Sequence, residues 1–214
     1  MAGALTLSAC GNAGSTEAST EKNTEGQAID NGYKQAYIDQ IKKCESEKEG
    51  DTNITYDLIY INDDDIPELV AGVDGFYIDL YTYADGKAYA LTDYWPYGAG
   101  GNAGYQYIPY KNVIENENAD QAGAIRYYYY WMIDDSHALK AYNDADLSLW
   151  LFDDKNGNGI MDEEEYTGDD GECYYYYADQ KISKEEFESH QITGDYQWIT
   201  GTKTADEMIA QLQQ

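Results

Sequence analysis

Beyond residue 30 the spacing of apolar positions changes twice along the chain. Tyr33, Tyr37, Ile41 and Cys44 recur at three- and four-residue intervals up to about Glu47, which aligns them on one stripe of a helix, and Asp30 or Asn31 stands where a capping side chain belongs. From residue 55 the period becomes two. Segments 55–61, 68–73, 76–83 and 87–92 read as strands, and the tight-turn dipeptides Asp74-Gly75 and Asp85-Gly86 between them predict an antiparallel meander. Further strands are expected over 124–133, 147–152 and 172–178. Two helices close the chain, opened by the capping boxes Ser183-x-x-Glu186 and Thr204-x-x-Glu207, with Met208, Ile209 and Leu212 on one face of the second. The pattern predicts an α+β domain over 30–214, an antiparallel β-sheet flanked by an N-terminal helix and short C-terminal helices.

Residues 11–29 break this pattern. They are rich in Gly, Ser, Thr, Glu and Asn with little to bury, and so read as a flexible tether. The following stretch is long enough for one domain with a real core, and no second linker interrupts it. The charge of the full chain narrows the partners. Against 13 Lys and Arg stand 41 Asp and Glu, a formal charge of −28 that repels nucleic acid and anionic lipid and attracts divalent cations. Such acidity with few aromatics would imply disorder, yet 24 Tyr, 4 Trp and 3 Phe favour a folded, strand-rich domain.

The run D-K-N-G-N-G-I-M-D-E-E-E at 154–165 is the strongest chemical motif. Calcium takes about six to eight oxygens at roughly 2.3–2.6 Å, and one loop supplies them when side chains at alternate positions converge. Asp154, Asn156 and Asn158 fall at positions one, three and five. Gly159 permits the bend, Ile160 offers its backbone carbonyl at seven, Asp162 sits at nine and Glu165 can bind bidentately at twelve. The loop resembles that of an EF-hand, although L-S-L-W-L before it alternates as a strand does, so the resemblance covers the loop and not a helix-loop-helix. The alternative is an acidic, Asn-Gly-rich surface turn. With three carboxylates among the ligands, binding in the range of about 10⁻⁴ to 10⁻³ M is expected.

A second segment, Y-I-N-D-D-D-I-P-E-L, is similar to the Asp-Gly-rich repeat D-x-D-G-D-G-I-P-E-L of secreted bacterial proteins. Aligned on it, Asn62, Asp64 and Glu68 are a second candidate metal set. Tyr60 replaces the first acid, and Asp65 stands where the bend glycine belongs, a strained choice for a residue with a β-carbon.

Aromatic residues supply the candidate ligand surface. The segment 94–110 carries Trp95, Tyr97, Tyr105 and Tyr107 around the glycines of G-A-G-G-N-A-G and is expected to be a long, mobile loop able to stack on a sugar. The strand clusters 127–131 and 174–177 would each place two or more rings on their less buried face, with cross-strand packing as the competing role. The glycine run lacks the Gly-Lys ending of a phosphate loop. His137 and His190 have no zinc-ligand companion, and no nucleophile elbow occurs.

The first ten residues carry an address. Leu7-Ser8-Ala9-Cys10 has the form of a bacterial lipobox: an apolar residue, two small ones, and the cysteine that becomes the lipid-bearing N-terminus. Residues 1–10 read as a signal peptide clipped by a late start, since no Lys or Arg precedes Lys22. The whole chain resembles lipid-anchored surface proteins of gut-dwelling Gram-positive bacteria, a resemblance that implies a place outside the cell membrane and carries no activity. With Cys10 lipidated, Cys44 and Cys173 either form a bridge worth about 5 kcal/mol or stay as two buried thiols. The resulting expectation is a membrane-anchored module, stabilised by calcium, that binds a cell-wall, glycan or surface-protein partner. The alternative is a small cell-envelope hydrolase using a carboxylate pair.

Overall fold

The structure, a computed structural model, describes residues 31–48, 50, 52–167 and 171–214. Cys10, the tether and the candidate cap Asp30 lie outside the described residues. The chain opens with α1 (Gly32–Glu47), then runs through β1 (Thr55–Ile59), β2 (Glu68–Val73), β3 (Tyr77–Ala84), β4 (Lys87–Ala90) and β5 (Trp95–Pro96). These five strands form one antiparallel sheet in the order β1-β2-β3-β4, with β5 also pairing β3. A second antiparallel sheet follows, built from β6 (Tyr105–Ile108), β7 (Val113–Asp120), β8 (Ile125–Ile133), β9 (Leu139–Ala141), β10 (Leu147–Trp150), β11 (Tyr174–Tyr177), β12 (Gln180–Ile182) and β13 (Gln197–Trp198). Its order is β12-β11-β10-β8-β7-β6-β13, with β9 beside β8. Helices α2 (Lys184–His190) and α3 (Ala205–Leu212) close the chain, so the class is α+β with two sheets.

Alternation along the strands explains the layering. On β2, Leu69 and Ala71 face the helices and pack with Tyr37, Ile41, Met208 and Leu212, while Val70 faces the other way. Val70, Ile78 and Leu80 from the first sheet meet Tyr105, Tyr107, Ile114 and Ile133 from the second. β2 is therefore covered on both sides, which accounts for five consecutive buried residues in E-L-V-A-G. The far face of the second sheet is closed by α2, whose Phe187 meets the Tyr128 ring edge-on at 5.7 Å and lies 4.9 Å from Tyr175.

Local sequence sets the element ends. Asp85 and Gly86 both adopt positive φ (49° and 80°), the condition for a two-residue turn matched to strand twist, and Ala84 pairs with Lys87 across it. Thr204 and Glu207 form the complete capping box expected at α3: each backbone N–H is accepted by the other's side chain, at 3.4 and 2.9 Å. Asn31 occupies the cap position of α1 but makes no side-chain capping bond. Among the described residues no helix is long and apolar enough to cross a membrane.

Candidate metal centre

The loop at 154–165 leaves β10 and is closed by strand-like contacts, not by helices. Phe152 bridges Tyr166, and the Asp153 N–H donates to the Glu165 carbonyl at 3.1 Å. Within this clamp the side chains turn inward on the loop's own backbone. Asp154 accepts the N–H groups of Asn158 (3.0 Å) and Gly159 (2.9 Å), one on each carboxylate oxygen. Asn156 Oδ1 accepts the Asn158 N–H, Asn158 Oδ1 accepts the Ile160 N–H, and the Asn156 amide donates to Asp162 at 2.9 Å. Gly157 and Gly159 take the left-handed φ values of 72° and 69° that a tight, inward-coiled turn demands.

Glu165 closes the ring. Its Oε1 accepts the N–H groups of Lys155 (3.0 Å) and Asn156 (3.3 Å), bringing position twelve back onto the first turn. The residue is only 7% exposed, and its second oxygen, Oε2, is buried with no hydrogen-bond partner. A carboxylate oxygen stripped of water and left unpaired costs about 1–3 kcal/mol or more. Among the described residues no three His, Cys, Asp or Glu side chains gather closely enough to hold an ion by themselves. The oxygens of the loop include two side-chain amides and a main-chain carbonyl, however, and this mixed set of hard oxygens fits calcium.

The second candidate set is not assembled. Asn62 and Asp64 bond each other and Asp64 caps the Ile66 N–H at 2.9 Å, while Asp65 holds the left-handed φ of 63° that its place in the turn requires. Glu68, by contrast, is fully buried, its carboxylate accepting the Ile61 N–H at 2.9 Å and the Thr82 hydroxyl at 3.2 Å. Burial, reinforced by the nearby Asp64 charge, pushes its pKa up to about 8. It is a core acid and leaves the metal set.

The segment 94–110 also departs from expectation. Tyr105 and Tyr107 are 7% and 6% exposed because β6 puts both rings on the face that meets the first sheet. Trp95 stacks on Tyr105 at 4.5 Å and lies 4.8 Å from Trp131, and Tyr97 donates its hydroxyl to Asp74. Nor is the glycine run loose. A β-carbon on Gly98 would come within 2.1 Å of the Gly75 carbonyl oxygen, and Asn116 ties the run down through the Asn102 side chain and the Gly104 carbonyl. The four residues proposed to stack on a ligand thus serve mainly as packing and as the joint between sheets.

Other rings lie better for recognition. On β8, Tyr127, Tyr129 and Trp131 share one half-exposed face with successive centroid separations of 6.3 and 6.0 Å, and Trp150 and Tyr176 lie 4.5 Å apart on the adjoining strands. Tyr128 and Tyr130 point to the opposite face, into the core beneath α2. Met161 of the loop packs, as Tyr127 and Trp150 do, against the buried cluster of Ala124, Ile125 and Phe152, so the loop and this aromatic face share one cluster.

Of the two alternatives left open for Cys44 and Cys173, the structure has the free thiols, both half-buried. Cys44 sits on α1 with its sulfur 3.7 Å from the Tyr81 hydroxyl, whereas Cys173 immediately precedes β11 in the other sheet. One residue with a role at the loop went unnoticed in the sequence: Gln121, whose side chain reaches Gly159 and Met161 across about forty positions, a contact that no local pattern signals.

No protein-family profile, curated protein or solved structure matches this chain.

Proposed function

We propose that this chain is a lipid-anchored, extracytoplasmic binding module whose domain is stabilised by calcium in the loop at 154–165. The carrying observation is the orphaned Glu165 Oε2, buried without a hydrogen-bond partner in a loop whose other side-chain oxygens turn inward onto its own backbone. Asp154, Asn156, Asn158, Asp162 and Glu165 would hold the ion through their side chains and Ile160 through its carbonyl. Calcium supplies positive charge to a loop whose one basic residue is Lys155, in a chain of net charge −28. Weak affinity suits a site filled by the millimolar calcium outside a cell.

The location rests on the lipobox and on Cys10 as the lipidated residue. Two or three acyl chains hold a protein on a bilayer where one does not. The partner class is a cell-wall glycan or surface protein, and the half-exposed face of Tyr127, Tyr129 and Trp131 supports it, since flat rings stack on the apolar faces of sugars. Binding is favoured over hydrolysis because Glu68, the acid whose pKa burial raises most clearly, is sealed from any substrate.

Thermal unfolding with and without calcium tests the metal. A ligand at ten times its dissociation constant stabilises by about 1.4 kcal/mol, roughly 3–6 °C for a domain of this size. No shift in the wild type, or an equal shift in Asp154→Ala, would refute the site. Incorporation of labelled fatty acid in cells tests the anchor, and the label must disappear in Cys10→Ala.

A further inference from the structure

The connection between β7 and β8 is an unusual stretch of backbone. Gln121, Ala122 and Gly123 all adopt left-handed φ, at 48°, 59° and 94°, and the first two carry β-carbons. Such strain persists only where surrounding contacts over-determine it, and it concentrates where a side chain must be held in one place. Here the turn aims Gln121 at the middle of the metal loop. Its Oε1 accepts the Met161 N–H at 2.6 Å and its Nε2 donates to the Gly159 carbonyl at 2.8 Å. Asp120 fixes the turn from behind by accepting the Gln121 N–H at 2.6 Å.

Gly159 and Met161 flank Ile160, the one residue of the proposed set that would ligate through its main chain. A carboxamide presents a donor and an acceptor side by side, as the edge of a neighbouring strand does. It therefore pins the backbone on both sides of Ile160, and the Asn158 side chain holds the Ile160 N–H at 2.7 Å. A lone loop without flanking helices or a partner strand would leave that peptide free to rotate, and a rotated carbonyl is a lost ligand.

We infer that Gln121 is a positioning residue for the metal site, setting the direction of the Ile160 carbonyl and with it the affinity of the loop for calcium. This rests on the calcium reading above. Residues that orient ligands from outside the coordination sphere typically change metal affinity by about tenfold or more when removed.

The test uses terbium as a luminescent probe, excited through the tryptophans and displaced by calcium, on the wild type, Gln121→Met, Ala122→Gly and Asp154→Ala. Gln121→Met keeps the length of the side chain and loses both hydrogen bonds. It is expected to raise the calcium dissociation constant roughly tenfold, while hydrogen exchange of the Met161 amide in the metal-free protein accelerates. Ala122→Gly relaxes the same turn without touching the amide and is expected to stay within about twofold of wild type. Should Gln121→Met be too unstable to assay, Gln121→Asn, an amide one methylene too short to reach, replaces it. Unchanged calcium affinity in a variant whose Met161 amide has lost protection would overturn the inference, as would a loss in Ala122→Gly equal to that in Gln121→Met. Absence of saturable terbium or calcium binding in the wild type, or wild-type binding in Asp154→Ala, would instead bring down the calcium reading itself.

Discussion

Glu68 accepts the hydroxyl hydrogen of Thr82 at 3.2 Å from a neighbouring strand, with both residues buried. With its other oxygen on the Ile61 N–H, this carboxyl is held where water does not reach, and burial pushes its pKa up to about 8. In the unfolded chain the group titrates near the ordinary value of about 4.3. Below that pH both states are protonated and the group imposes no penalty. Between there and about 8 only the unfolded chain releases the proton, so stability falls as pH rises. The total is on the order of a few kcal/mol. Glu68→Gln retains the acceptor for Ile61 and removes the ionisation. Its melting temperature is expected to decline less than that of the wild type between pH 5 and pH 8, read as the difference between two calorimetric profiles. Parallel profiles would contradict the assignment.

Glu165→Gln separates the structural role of this residue from its proposed metal role. The amide oxygen can still accept the Lys155 and Asn156 N–H groups, while the unpaired charge disappears. Without calcium the variant is expected to unfold at the wild-type temperature or higher, by up to about 1 kcal/mol. With calcium its thermal shift is expected to be lost. A calcium shift as large as that of the wild type would remove Glu165 from the ligand set.

The left-handed bend at Asp65 is open to a direct measurement. Aspartate tolerates φ of 63° better than most residues, yet glycine reaches it with no steric cost. Asp65→Gly is expected to stabilise the domain by about 0.5 kcal/mol, which urea unfolding resolves through a higher midpoint at unchanged slope. A lower midpoint would show that the Asp65 side chain contributes more than its backbone costs.

Two free thiols imply indifference to reductant. Cys44 and Cys173 are each expected to take one alkylating group after unfolding without reduction, and the melting temperature is expected to be the same with and without dithiothreitol. A drop in melting temperature on reduction would reveal a bridge, since cutting a loop of this length costs several kcal/mol.

Much of the architecture is written in local pattern. The stripe of Tyr33, Tyr37 and Ile41, the Asp-Gly turns and the Thr204 box each act through neighbours a few residues away, and α1, β2 and α3 lie where those signals put them. β7 escaped because V-I-E-N-E-N-A-D has little strand propensity of its own. It is a strand because Tyr129 and Trp131 of β8 pair across from Asn116 and Ile114.

The residues by themselves determined the α+β class, the acidic surface, and the order of oxygen-bearing side chains from Asp154 to Glu165. These follow from composition, period and spacing along one segment. Only the tertiary structure decided that Glu68 faces inward, that Tyr105 and Tyr107 join two sheets, that Cys44 and Cys173 sit in different layers, and that Gln121 clamps the loop at 154–165. Each depends on which strand lies beside which, a matter of long-range packing that local spacing does not encode.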